Sequence, residues 1–145
     1  MGDGLKLKAM EADEVNILSA AMEGAITSPG EISYSPKGRH FTMTCSRFMW
    51  EDQETSNQRI RSGLFISDIL AAKRQNVPEK PETAMELLSI EAVAGDDGLA
   101  DLTLTFAGNC TIALSVECVD MTLTDVGDAW KTDAVPHHDL EKEQS

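Results

Sequence analysis

Asp101-Leu102-Thr103-Leu104-Thr105-Phe106, then Ala107-Gly108-Asn109, then Cys110-Thr111-Ile112-Ala113-Leu114-Ser115-Val116: this stretch decides the fold. Leu102, Leu104 and Phe106 alternate strictly with Asp101, Thr103 and Thr105. Cys110, Ile112, Leu114 and Val116 do the same after the turn. A period of two sends every apolar side chain to one face of an extended strand. Ala107-Gly108-Asn109 turns the chain between the two runs. The stretch therefore predicts two antiparallel strands with one buried face. Read onward, Cys118 continues the apolar parity, which changes near Val119 where Met121 and Leu123 take over.

Working outward from this hairpin, the same period recurs. Upstream, Leu88, Ile90 and Ala92 form a strand that ends at the hairpin signal Gly95-Asp96-Asp97-Gly98. Asn76 to Thr83, with Pro78 and Pro81, is a loop. Ile60, Leu64 and Ile66 alternate, and Ile69 and Ala71 continue on the other parity. The run between Arg59 and Arg74 thus reads as one long bent strand or two short ones. Phe41, Met43 and Cys45 alternate, then Phe48 and Trp50 take the opposite parity, as at a bulge or strand end. Ile32 and Tyr34 precede the turn Ser35-Pro36-Lys37-Gly38, and Leu5, Leu7 and Ala9 make a short strand. Downstream, Thr124 to Ala129 reads as a loop before Trp130.

One segment departs from this period. From Glu11 to about Ile26, the apolar residues Val15, Leu18, Met22, Ala25 and Ile26 recur at spacings of three and four, the stripe of an amphipathic helix. Glu11, Asp13 and Glu14 lie in its first turn, where the helix dipole favours negative charge. Thr27-Ser28-Pro29-Gly30 ends it. One helix followed by hairpin-linked strands predicts an α+β domain. Six or seven antiparallel strands would curl into a barrel or sandwich, with the helix covering an open end or face. Residues 1–130 form that single domain, and 131–145 form an acidic, largely disordered tail.

Composition narrows function by exclusion. The chain has 145 residues and a net charge of −13, with 41% hydrophobic residues. Nucleic-acid binding works through Lys and Arg that release counterions from phosphates, so nucleic acid is not an expected partner. Anionic membrane surfaces are repelled in the same way, and no run approaches the roughly 20 apolar residues that span a bilayer. The opening Met1-Gly2-Asp3-Gly4-Leu5-Lys6 lacks the apolar core of a signal peptide. Lys6 stands where a myristoylation signal needs Ser or Thr. The three cysteines, Cys45, Cys110 and Cys118, are odd in number, which argues for reduced thiols and a cytoplasmic setting. Placed in one extended strand, Cys110 and Cys118 would lie about 27 Å apart, too far to bridge.

Chemistry-bearing motifs are sparse. No Gly-rich phosphate loop, Gly-x-Ser-x-Gly or His-Glu-x-x-His occurs, and no cofactor signature is present. His40 and Cys45 are five apart, so a strand points them to opposite faces and they do not form a nucleophile–base pair. Adjacent His137 and His138 lack metal-ligand spacing. No catalytic or metal site is assigned.

Charge is the one uneven feature. Residues 37–74 carry seven basic and four acidic groups, a balance of +3, against −16 for the remainder. Within that segment Arg47, Arg59, Arg61 and Trp50 flank the polar stretch 51–58, and Arg59 and Arg61 share a strand face. Arginine forks beside an aromatic ring suit a carboxylate or phosphate, so these four are the candidate ligand-binding residues. Two outcomes are open: the guanidiniums converge on an exposed surface beside Trp50, or the chain's own acids satisfy them. The expected function is a small non-catalytic binding or accessory protein, with a small anionic ligand or an unidentified protein as partner. A homodimer is compatible with this reading. The alternative is a small enzyme acting on an anionic metabolite.

Several strings together carry a resemblance. They are Leu5-Lys6-Leu7-Lys8-Ala9, Arg47-Phe48-Met49-Trp50-Glu51, Arg61-Ser62-Gly63-Leu64 and Glu117-Cys118-Val119, followed by Leu123-x-Asp125-x-Gly127 and Trp130. The chain resembles a family of short alphaproteobacterial proteins described only as a domain of unknown function. The likeness spans nearly the whole chain, which implies one domain. It also implies a housekeeping setting, family members lying near histidine-biosynthesis genes, and it implies no activity.

Overall fold

The computed structural model describes residues 5–50 and 58–131, with side chains through Val126 in the last strand. Ten strands and one helix run in the order β1 (Lys6–Ala9), α1 (Val15–Met22), β2 (Ile26–Thr27), β3 (Ile32–Ser35), β4 (His40–Phe48) and β5 (Gln58–Ile66). Then come β6 (Ile69–Gln75), β7 (Met85–Ala94), β8 (Ala100–Phe106), β9 (Cys110–Val116) and β10 (Met121–Lys131). All pairings are antiparallel, in the spatial order β1-β10-β5-β4-β2-β7-β8-β9-β6, with β3 also on β4. The sheet packs around one core but does not close: β1 and β6 end its path, and β3 pairs with β4 alone.

The deciding hairpin forms as its alternation requires. Leu102, Leu104 and Phe106 of β8 pair with Leu114, Ile112 and Cys110 of β9, and all six are buried. Gly108 and Asn109 take positive φ at the turn. The helix supplies Val15, Leu18 and Met22 to the same core. It is shorter than the stripe suggests. A 3-10 turn, Ala12–Glu14, precedes it, and Gly24 at φ 84° ends it. Beyond Met22 the sheet takes over the backbone: Gly24 N–H donates to the Leu87 carbonyl, Leu87 N–H to that of Ala25, and Ile26 pairs with Ser46 and Glu86. Ladder hydrogen bonds outweigh helical propensity at this end.

The strand number exceeds six or seven for identifiable reasons. The run after Arg59 divides at Ser67–Asp68, where Asp68 takes φ 61° and Ser67 N–H donates to the Asp120 carbonyl. A 3-10 turn, Pro29–Glu31, likewise splits β2 from β3 along one edge of β4. Three other expectations are corrected. Residues 124–129 are not a loop but part of β10, which stays paired to β5 through Val126 and rejoins it at Trp130 across a bulge. β9 ends at Val116, so Cys118 does not share a strand with Cys110 and is exposed. A register shift between Leu87 and Ser89 buries Leu87 and turns Leu88 outward. The tail, apart from Lys131, lies outside the described residues. All three cysteines are free.

Gly24 has room for a methyl group, its nearest neighbour being Phe48 Cδ2 at 3.9 Å, but its backbone is left-handed. Gly24→Ala is therefore expected to cost about 1–2 kcal/mol through backbone strain alone. Urea denaturation should show a lower midpoint at an unchanged slope.

Candidate functional site

The register of β4 on β5 places the arginines. Phe48 lies opposite Arg59, Arg47 opposite Ile60, and Ser46 opposite Arg61. Arg47 therefore shares the inner face with Cys45, Ile60 and Ser62, while Arg59 and Arg61 project outward. The three guanidiniums do not converge on one surface, because the side-chain period of two assigns Arg47 the opposite face.

Arg47 is fully buried and holds Asp125 in a two-pronged pair, Nε to Oδ1 at 2.9 Å and Nη2 to Oδ2 at 2.7 Å. Ser62 Oγ donates to Asp125 Oδ1 at 2.5 Å, and Leu5 N–H donates to Oδ2 at 2.8 Å. Arg47 Nη1 donates to the Phe48 carbonyl at 3.0 Å. Burial alone would raise the Asp125 pKa, but the hydrogen bonds from Arg47, Ser62 and Leu5 outweigh it and hold the carboxyl below the usual carboxylate range.

Arg59 is buried on the outer side. Its guanidinium carbon sits 4.0 Å from the centre of the Phe48 ring. Its Nε donates to Ser46 Oγ at 3.2 Å and its Nη2 to the Ser46 carbonyl at 2.8 Å, with a longer 3.5 Å contact to the Gly24 carbonyl. The Trp50 ring lies tilted against Phe48 with centroids 5.2 Å apart, and its indole N–H donates to the Glu23 carbonyl at 2.9 Å. Arg59 and Trp50 thus both contact Phe48, and each donates to a carbonyl just past the end of α1. A helix terminus leaves its last carbonyls unsatisfied, and these two donors supply partners just past it. Arg61, half exposed, pairs with Glu31.

His40 and Cys45 point to opposite faces. Cys45 is buried, and desolvation pushes its thiol up to about 12, which removes the thiolate that nucleophilic chemistry needs. Cys118 donates to Asp68 and is raised by that bond. Among the described residues no group of His, Cys, Asp and Glu could hold a metal ion. His137 and His138 lie outside those residues.

The concave feature is elsewhere, in the gap between the unpaired edges of β3 and β6. Ile32 and Tyr34 of β3 lie opposite Met43 and Phe41, hence on the inner face. On β6, Ala72 lies opposite Leu114 and Arg74 opposite Ile112, also inward. These side chains other than Met43, with Pro29, Lys73 and Val77, line a half-open, mainly apolar cavity of about 280 Å³. The two edges meet at one end, where Ile69 N–H donates to the Arg39 carbonyl at 3.0 Å. At the other end a more polar hollow adjoins the cavity, sharing Pro29, Arg74 and Val77 and adding Asn76 and Glu79. The apolar alternation of β3 and Phe41 hints at this lining. Nothing in the sequence indicates that β3 and β6 face each other unpaired.

The buried pair is the site's strongest determinant of stability. Arg47→Ala leaves Asp125 charged and buried, at an expected cost of about 3–5 kcal/mol. Because the Asp125 pKa is lowered by folding, its contribution is complete above the unfolded value near 4 and is lost as pH falls through the folded value. Wild-type stability should fall on acidification below about pH 4. Asp125→Asn should flatten that dependence in urea titrations across pH 2–5 while lowering stability at neutral pH.

Comparison with known proteins returns one family. The family model DUF2948, a protein of unknown function, matches residues 5–138. Neither the curated proteins nor the solved structures contain a match. The match takes in the inner Arg47–Asp125 pair, the Trp50 clamp and both walls of the β3–β6 cavity, and on its extent the chain belongs to the DUF2948 family of proteins of unknown function.

Proposed function

We propose that this is a small non-catalytic binding protein whose β3–β6 cavity receives the apolar part of a small ligand, and that the arginine–tryptophan end serves the fold. The observation that carries this is the cavity itself. It is concave, about 280 Å³, and lined mainly by apolar side chains from two strand edges that the sheet leaves unpaired. Pockets of a few hundred Å³ with an apolar lining and few polar groups are the usual small-molecule sites. Arg47 and Arg61 are paired with the chain's own carboxylates, and Arg59 lies against Phe48 and backbone carbonyls.

The enzyme alternative, chemistry on an anionic metabolite, asks for a titratable base beside the cationic groups. The titratable side chains lining the cavity are Tyr34, Lys73 and Arg74. No carboxylate or imidazole is among them. The three free thiols fit a reducing, cytoplasmic setting.

Ala72 faces the cavity from an exposed edge strand, so a larger residue there fills the space without entering the packed core. N-phenyl-1-naphthylamine, an uncharged fluorescent probe, is expected to bind the wild type with enhanced emission. Ala72→Phe should weaken that binding at least ten-fold while keeping the wild-type circular dichroism spectrum. Equal binding by the folded variant would move the site away from this cavity.

A further inference from the structure

We infer that the ligand of this cavity ends in a single carboxylate and that Arg74 holds it, an inference that rests on the cavity being the binding site. Arg74 lies opposite Ile112, so its side chain starts from the inner, apolar side of β6. A guanidinium is not stable among apolar groups without partners. Long cationic side chains resolve this by laying their stems on apolar surface and extending the head to a polar boundary. Arg74 lines both the apolar cavity and the polar hollow beside it, which places it at that boundary.

Arg74 also differs from the other arginines. Arg39 pairs with Glu117, Arg47 with Asp125 and Arg61 with Glu31, and Arg59 lies over Phe48. Among the described residues the Arg74 side chain has no hydrogen bond or ion pair, in a chain whose net charge is −13. A planar fork with open donors at the mouth of an apolar cavity matches a carboxylate on an apolar body. Glu79 lines the same polar hollow and opposes a second negative charge, which favours a monoanion over a phosphate. The cavity volume of about 280 Å³ equals roughly nine water volumes, so it takes an apolar segment of about eight to ten heavy atoms, and a larger body such as that of the probe extends out through its open side.

The test is displacement of bound N-phenyl-1-naphthylamine by four ligands of one chain length: octanoate, octanol, octylamine and octyl phosphate. Octanoate should displace the probe from the wild type at concentrations at least five-fold below octanol, and its advantage should shrink with added salt. Arg74→Gln should erase the octanoate advantage and leave octanol unchanged, and Arg74→Lys should retain part of it. Octanoate and octanol of equal potency on the wild type, or octanoate unaffected by Arg74→Gln, would overturn the carboxylate assignment and leave the cavity standing. Octyl phosphate binding tighter than octanoate would overturn the monoanion assignment. Failure of all four to displace the probe would sink the cavity reading together with this one.

Discussion

The Arg47–Asp125 pair is the constraint on which one end of the molecule depends. Both side chains lie in the interior, where an isolated charge is untenable, so each must find partners before the sheet can pack around it. Asp125 meets that demand from three directions at once: Arg47 on β4, Ser62 on β5 and the Leu5 backbone beside β1. Placing one carboxylate correctly therefore fixes the register of four neighbouring strands. A slip of one residue in β4, β5 or β10 would turn Arg47, Ser62 or Asp125 outward and strand the others. A hydrophobic core alone does not discriminate so sharply, because Leu64 or Ile66 can be buried against many neighbours.

Arginine performs several distinct tasks here, and the surroundings decide which. Inside, its fork matches a carboxylate. Outside, Arg59 spreads over Phe48 and donates to carbonyls near the end of α1, with Trp50 donating to Glu23 beside it. Wrapped around that end, the sheet leaves an opening at the other. Pro29 begins the turn that separates β2 from β3, so β7 pairs with β2 but not with β3, and no strand follows β3 on that side. The cavity is a consequence of that interruption rather than of any single lining residue.

Much of the architecture is legible in the sequence. The alternation in β8, β9, β4 and β5 marks the sheet, and the stripe Val15, Leu18, Met22 marks the helix, because burial on one face imposes a period that local chemistry cannot imitate. The features that escape are those set by tertiary pairing. The two-residue β2 has no period to detect. Gly24 sits inside an apparent helical stripe that the sheet truncates. Leu88 looks like a core residue until the bulge beside it is known. At the arginine–tryptophan end, the sequence draws attention to Arg47, Trp50, Arg59 and Arg61, while the contacts of Trp50 and Arg59 with Phe48 and the inward direction of Arg47 require the strand register. The cavity is least legible, since Ala72 and Arg74 face inward on β6 without an apolar pattern. A small residue and a charged one, both exposed on an edge strand, do not advertise a cavity wall.

β1 and β10 run antiparallel side by side, and Leu5 and Asp125 exchange hydrogen bonds at one end of that ladder. The chain leaves β1 toward its start, and β10 continues toward its end, from this same point. A force applied between the two ends of the domain would accordingly load the β1–β10 ladder in the unzipping direction, one pair at a time. Along β1 the first link under tension is the one where Leu5 meets Asp125. Mechanical resistance is thus concentrated at the residue that also carries the buried charge, and separating β1 there removes one of the hydrogen bonds that keep Asp125 ionised in the interior.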